Sequence, residues 1–164
     1  MEETEGVDDA THAPRVRYEK VAEYLSVHPF DLYIVNEYTA PFVSEKSLTL
    51  SVPTSNKVAL EAFLALHSMH DARIVGIGAG AVIDATKYVA SCTASHFTCI
   101  PSALSTNSFA THRNSFFDSN VGKVSINSGV AETIVIDYDL LAEAAPLNLF
   151  GLVEIASVAT AQVD

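Results

Sequence analysis

Short continuous apolar runs alternate along this chain with stretches whose apolar positions recur every three or four residues. Residues 31–35 (DLYIV) are an apolar and aromatic run ending at the turn-like Asn36-Glu37, the pattern of a buried strand. Residues 48–52 form a second strand candidate, stopped by Pro53. Between residues 55 and 69, Ala59, Ala62, Phe63 and Leu66 fall at i, i+3, i+4 and i+7. That is the stripe of a helix packed on a sheet, with Thr54 or Ser55 as its N-cap. A short buried strand at 72–76 then runs into a glycine turn at 76–81 and a helix over 82–91. Residues 96–100 (HFTCI) are the next strand, ended by Pro101. Strand, glycine turn, helix and strand within about 30 residues make a βαβ unit, hence a parallel pair.

Upstream, residues 14–26 (PRVRYEKVAEYLS) suit a short helix. Downstream, 114–117 and 123–126 flank the turn-rich 118–122 as a hairpin, 133–136 is a last short strand, and 147–163 reads as helix. That final helix is apolar on several faces, which predicts a missing partner surface. The organisation expected is an acidic tail over 1–13, an α/β domain over 14–146, and the start of a helical domain over 147–164.

Composition narrows the function classes. The 164 residues amount to one domain, and 49% hydrophobic with 18% charged side chains is enough for a sizeable core. A formal net charge of −11 argues against nucleic acid or an anionic membrane as partner. It leaves open a phosphorylated small molecule, which helix N-termini can bind through backbone N–H groups. Cys92 and Cys99 fit no metal or disulfide pattern and read as reduced thiols in a cytosolic core. Glu2, Glu3, Glu5, Asp8 and Asp9 open the chain as a solvated, disordered tail, unlike a signal peptide. No apolar run reaches the roughly 20 residues of a membrane-spanning helix, so a cytoplasmic protein without membrane insertion is expected.

Gly76, Gly78 and Ala81 satisfy G-x-G-x-x-G/A, a loop that lets backbone approach a pyrophosphate at a helix N-terminus. The acid that should follow about 20 residues later is absent, since Thr98-Cys99-Ile100-Pro101 stands there. The alternatives are a phosphate-cradling loop elsewhere in a nucleotide domain and a tight turn that merely needs glycines. Asp84 and Lys87 stand at i, i+3; the spacing favours a solvated ion pair over Asp84 turned towards a nicotinamide. Residues 101–111 place Ser102, Ser105, Thr106, Asn107, Ser108 and Thr111 directly behind a strand, where open sheets hold ligands; a helix-capping loop is the other reading. His67 and His70 read as surface residues. Glu154 interrupts an apolar stretch and must face water or a cation, yet one acid cannot hold a metal that needs about three protein ligands.

Taken in order, these motifs resemble a known superfamily. The run Val75-Gly76-Ile77-Gly78-Ala79-Gly80-Ala81-Val82-Ile83-Asp84-Ala85-Thr86-Lys87 is similar to the V-G-G-G-S/K-V-I-D-x-x-K loop of the iron-containing alcohol and glycerol dehydrogenases, relatives of the dehydroquinate synthases. Ile100 to Asn107 resembles their P-T-x-x-S-T/H-D segment. Phe109 to Ser115, the hairpin, Val135 to Leu140, Ala144-Ala145-Pro146 and Gly151-Leu152-Val153-Glu154 resemble the glycerol-1-phosphate dehydrogenase branch. The resemblance implies a Rossmann-like parallel sheet with flanking helices, followed by the first helix of an all-helical domain.

Residue by residue, the resemblance implies that Gly78, Ala79, Gly80, Ala81 and Asp84 bind the dinucleotide pyrophosphate and nicotinamide ribose. Asn36 would lie near the adenosine ribose, and Ser102, Ser105 and Thr111 would complete the cofactor site. Asn107 takes the place of a substrate-contacting acid, and Glu154 that of a metal and substrate ligand. The implied cofactors are NAD or NADP and a divalent metal, Zn or Fe. The implied partner is a small polyol or phosphorylated polyol, with a homo-oligomer or a C-terminal half completing the protein. The departures are Ala79 for the central glycine, Asn107 for an acid, Glu154 for Asp, and a short span from Asn36 to Ala72. The family's other two metal ligands, both His, come from a helical domain that this chain barely begins. The implied reaction is hydride transfer between nicotinamide and an alcohol or ketone, incomplete in this chain alone. A cyclase using NAD transiently and a non-catalytic nucleotide-binding paralogue are the alternatives.

Overall fold

A computed structural model of the chain describes residues 13–52, 56–118 and 122–161, with backbone alone for 117–118 and 154–161. Its elements are β1 (Arg15–Tyr18), α1 (Val21–Val27), β2 (Leu32–Val35), β3 (Thr49–Ser51), α2 (Lys57–Leu66), β4 (Arg73–Gly78) and α3 (Gly80–Thr93). They continue with β5 (His96–Pro101), β6 (Arg113–Asp118), β7 (Gly122–Asn127), β8 (Thr133–Ile136), α4 (Tyr138–Glu143) and α5 (Ala145–Ala161). Six strands form one sheet in the order β1-β8-β5-β4-β2-β3, with every pairing parallel. β6 and β7 form a separate antiparallel hairpin. This is the Rossmann-like α/β arrangement that the resemblance implies, and β4-α3-β5 is the βαβ unit that the alternation of runs predicts.

Strands covered on both faces are apolar throughout, and the pleat sorts their side chains into two cores. Leu32, Ile34, Ile74, Phe97, Cys99 and Ile134 face the side packed by Leu60 of α2 and by Val82, Ile83, Ala85 and Val89 of α3. Tyr33, Val35, Val75, Ile77 and Val135 face the other side, with Val21 and Tyr24 of α1 and Leu140 of α4.

Several elements differ from the pattern-based expectation, each for a local reason. Residues 15–18 are an edge strand paired with β8, not the first turn of a helix. The helix begins only at Val21, whose N–H donates to Asp137 Oδ2 at 3.0 Å. The other oxygen of Asp137 accepts from Asp139 N and Leu140 N and caps α4, an element the pattern did not predict. One carboxylate therefore starts two helices. Burial would push it up, but the N–H groups of Val21, Leu140 and Asp139 and the nearby Lys20 outweigh burial and hold it below the usual carboxylate range.

α2 is capped by Asn56, whose side chain accepts from Val58 N and Ala59 N; Thr54 and Ser55 lie outside the described residues. Its inward face carries Leu60, Phe63 and Leu64, while Ala59, Ala62 and Leu66 are exposed. The stripe is thus offset by one residue from the expected one. Cys99 is buried as expected, but Cys92 is exposed. His70 is exposed, and His67 is half-buried against Phe63, with ring centroids 4.4 Å apart. The acidic tail falls almost wholly outside the described residues.

The glycine turn is shorter than expected, because Gly76 and Gly78 belong to β4. A Cβ on Gly76 would lie 2.0 Å from Thr86 Oγ1, and one on Gly78 would lie 2.6 Å from Val82 Cγ2. Both glycines face α3 and let its first two turns rest directly on the strand backbone. Substituting Gly76 with Ala is expected to destabilise the fold by about 2–3 kcal/mol through overpacking. Adding Thr86→Ala should recover part of that loss. Urea midpoints of the two single variants and the double variant check the coupling; additive losses would show that this contact is not what sets the packing.

Candidate functional site

From β2 the chain steps outwards to β3, whereas from β4 it steps the other way through β5. Open parallel sheets hold ligands outside the carboxyl ends of the strands at such a reversal. Three segments join there. The Thr39 hydroxyl, beyond β2, donates to Ile77 O of β4 at 2.5 Å. Ser102 N, at the end of β5, donates to Gly78 O at 3.0 Å. Thr106 lies against Gly80, where an added Cβ would meet its Oγ1 at 3.3 Å. So Asn36, Gly78 to Ala81, Ser102 and Ser105 are gathered on one edge of the sheet.

The start of α3 dominates this edge. Ala79 is the N-cap in extended backbone, without a side-chain cap, and no acid stands in the first turn. Val82 N and Ile83 N donate to Ala79 O. Among the described residues, Gly80 N and Ala81 N have no acceptor, and both residues are half-exposed. Two free N–H groups at the positive end of a 14-residue helix are donors of the kind that can receive an anion. The structure therefore joins the two readings of the glycine motif: Gly76 and Gly78 serve packing, and Gly80 and Ala81 offer donors.

Asn36 is already engaged, with its Oδ1 accepting from Tyr38 N and Thr39 N at 3.0 Å each. Ser102 and Ser105 are half-buried and Asn107 is exposed, preceding a short helical turn at Ser108–Ala110. Thr111 is tied elsewhere: its hydroxyl donates to Arg113 O at 3.4 Å and its carbonyl accepts from Lys87. The structure thus does not bring Thr111 to the glycine turn. Glu154 lies on α5, its side chain outside those described.

Asp84 and Lys87 are not a solvated pair. They are 9% and 1% exposed, because residues 108–116 fold over that face of α3. The Lys87 ammonium donates to Ser108 O at 2.9 Å, to Thr111 O at 2.6 Å and to Arg113 O. Burial lowers its pKa, opposed by the Asp84 charge. Asp84 Oδ1 is buried without a hydrogen-bond partner among the described residues. Burial pushes the Asp84 carboxyl up to about 6, against the opposing effects of Lys87, the Ser115 N–H and Lys123.

Thr39 and Asn148 shape this edge without having been singled out from the pattern. Asn36-x-x-Thr39 is a local turn signal, and a lone Asn in the apolar run APLNLFGL is another. A cavity of about 800 Å³ lies at the other end of the strands, beside His96, Phe97, Ser128 and Glu132, and includes none of the site residues. No three His, Cys, Asp or Glu side chains converge on a metal position among the described residues. No helix among them is long and apolar enough to cross a membrane.

Residues 37–146 match the family model described as iron-containing alcohol dehydrogenase. No curated protein matches the sequence significantly. Among solved structures, a probable glycerol dehydrogenase from Sinorhizobium meliloti is similar with a TM-score of 0.64 at 18% identity, covering 80% of this chain and 41% of that one. Glycerol dehydrogenase from Schizosaccharomyces pombe gives 0.62 at 14%, covering 79% and 38%. Sulfoacetaldehyde reductase from Bifidobacterium kashiwanohense, solved in complex with NAD+, gives 0.58 at 15%, covering 78% and 45%. The chain therefore spans less than half the length of these structures.

The raised Asp84 pKa has a definite sign in stability. Below about pH 4 the carboxyl is protonated folded and unfolded; between about 4 and 6 only the folded state keeps the proton. Folding stability therefore falls as pH rises through that window, by roughly 2–3 kcal/mol from this group. Asp84→Asn is expected to flatten the fall and raise stability at pH 7. Urea unfolding of both proteins from pH 4 to 7 measures it, and parallel curves would mean that Asp84 is not so perturbed.

Proposed function

The chain belongs to the iron-containing alcohol dehydrogenase family, and from that premise we propose that it is the cofactor-holding part of a metal- and NAD(P)-dependent polyol or polyol-phosphate dehydrogenase. The observation that carries this reading is the start of α3, where Gly80 N and Ala81 N lack acceptors and no first-turn acid competes for them. The pyrophosphate oxygens would accept from these two N–H groups. Gly80 matters there because its hydrogen leaves open the space beside Thr106 that a side chain would close.

The Ser102 and Ser105 hydroxyls would flank the same phosphates. Asn36 would stand at the adenosine ribose. With its Oδ1 already accepting from Tyr38 and Thr39, it has only its Nδ2 hydrogens to offer and carries no charge to repel a 2′-phosphate. That suits NADP as well as NAD. Asp84 Oδ1, buried without a partner, is an acceptor whose cost a cofactor hydroxyl would relieve. The nicotinamide supplies hydride chemistry when bound; these residues hold, orient and partly desolvate it.

The metal is a different case. No three His, Cys, Asp or Glu side chains among the described residues could hold it. Glu154 is proposed as a single ligand in a protein whose remaining ligands lie outside these residues. Asn107, neutral where an acid is expected, would contact the substrate by hydrogen bonds alone.

Calorimetric titration of the chain with NAD+ and NADP+, without metal, tests the reading. Saturable binding is expected, weakened about tenfold or more in Gly80→Val, equivalent to at least about 1.4 kcal/mol. Absence of binding at millimolar concentrations of both dinucleotides would overturn it.

A further inference from the structure

Asn148 stands half-buried on α5 with both ends of its carboxamide engaged. Its Oδ1 accepts from Leu104 N at 2.7 Å, and its Nδ2 donates to Leu141 O at 2.8 Å. One turn further on, Gly151 is buried, and a Cβ there would lie 1.8 Å from Leu104 O. Both polar backbone groups of Leu104 thus meet α5, the N–H through Asn148 and the carbonyl through bare glycine backbone. No side chain fits at 151 while the loop keeps this course.

Among the described side chains of α5, the large apolar ones do not explain its placement. Leu147 is 48% exposed, and Leu149, Phe150, Leu152 and Val153 are between 62% and 65% exposed. Among the described residues of α5, Asn148 and Gly151 face inwards, and both bear on Leu104 of one loop. Leu104 lies between Ser102 and Ser105, and the other end of the loop is fixed by Ser102 N on Gly78 O. A loop pinned at 102 and 104 presents its hydroxyls in a set direction, and a positioned loop loses less entropy when a ligand arrives.

We propose that Asn148 and Gly151 are positioning residues, which hold the loop after β5 in the shape that receives the phosphate and sugar groups of a dinucleotide at the start of α3. The inference rests on the cofactor reading above and adds to it that affinity is set in part from α5. Any displacement of α5 reaches the ligand edge through Leu104.

Three variants test this: Asn148→Ala, which loses both hydrogen bonds while keeping a good helix former, Asn148→Asp, which keeps the acceptor for Leu104 N, and Gly151→Ala, which pushes on Leu104 O. Affinity for whichever of NAD+ or NADP+ the unmodified chain binds is measured by calorimetry, alongside hydrogen exchange at the Leu104 amide and the urea midpoint. Asn148→Ala is expected to weaken binding about tenfold, to speed Leu104 exchange, and to lower the urea midpoint, because it leaves two backbone groups unpaired. Asn148→Asp should stay within about threefold of the unmodified chain, as one retained hydrogen bond allows. Gly151→Ala should weaken binding without freeing the Leu104 amide. Faster exchange with unchanged affinity in Asn148→Ala would overturn the inference and leave the cofactor reading standing. Unchanged exchange and affinity would overturn it too. Failure of the unmodified chain to bind either dinucleotide defeats the cofactor reading first, and this inference falls with it.

Discussion

The approach of α3 onto the bare backbone of β4 is the contact on which the rest of this structure depends. Thr86 and Val82 occupy the space where Gly76 and Gly78 would carry Cβ atoms. Ordinary helix-on-sheet packing stands side chain against side chain and holds the axis away from the strands. Here the first turns of α3 sink to the backbone, and the helix start arrives level with the carboxyl edge of the sheet. The free N–H groups of Gly80 and Ala81 are consequently at the edge where β2, β4 and β5 end. The packing glycines and the glycine with a free N–H are successive members of one motif because one geometric demand produces the other.

The same depth explains the buried charges. A helix lying that low is covered on its outer side by residues 108–116, so Asp84 and Lys87 are enclosed by the chain. Lys87 meets the cost with three backbone carbonyls, each hydrogen bond to a charged group contributing about 1.5–3 kcal/mol. It also fixes the path of the loop leading into β6. Asp84 is less well served, and its carboxyl, pushed up to about 6, measures the shortfall. A fold keeps an underserved carboxylate at some cost in stability, and such costs gather at ligand sites.

How much was legible in the sequence follows the range of the forces involved. Strands read well where burial on both faces demands unbroken apolar runs, as in DLYIV and HFTCI, and the βαβ order followed from them. That the glycine turn and the hydroxyl-rich loop stand at strand ends was also legible, because glycine spacing and a polar loop behind a strand are local signals. What was not legible depended on distant partners. Residues 15–18 resemble helix until β8 arrives to pair with them, and the start of α1 waits on a carboxylate at Asp137, 116 positions away. Asp84 and Lys87 look like a solvated pair at i, i+3, since nothing nearby announces that residues 108–116 will cover them. The offset of the α2 stripe has the same origin, because the sheet decides which flank of the helix turns inwards.

Those distant partners share a form. Asp137 joins Val21 N to the N–H groups of α4, Lys87 gathers carbonyls over the loop at 108–113, and Asn148 joins Leu104 to Leu141. Each is one polar side chain that satisfies two or more backbone groups and ties separate segments together where no ladder can. A buried backbone group left unpaired costs about 1–3 kcal/mol, so each staple stabilises by preventing several such losses at once. Apolar packing would hold these loops close without setting their direction, whereas hydrogen bonds of 2.6–3.0 Å fix orientation as well as distance. Orientation is what a phosphate edge requires, because N–H groups and hydroxyls must converge on oxygen atoms whose positions the ligand dictates. The apolar sheet can place its strand ends to within a side chain's width. The polar staples turn that placement into a site.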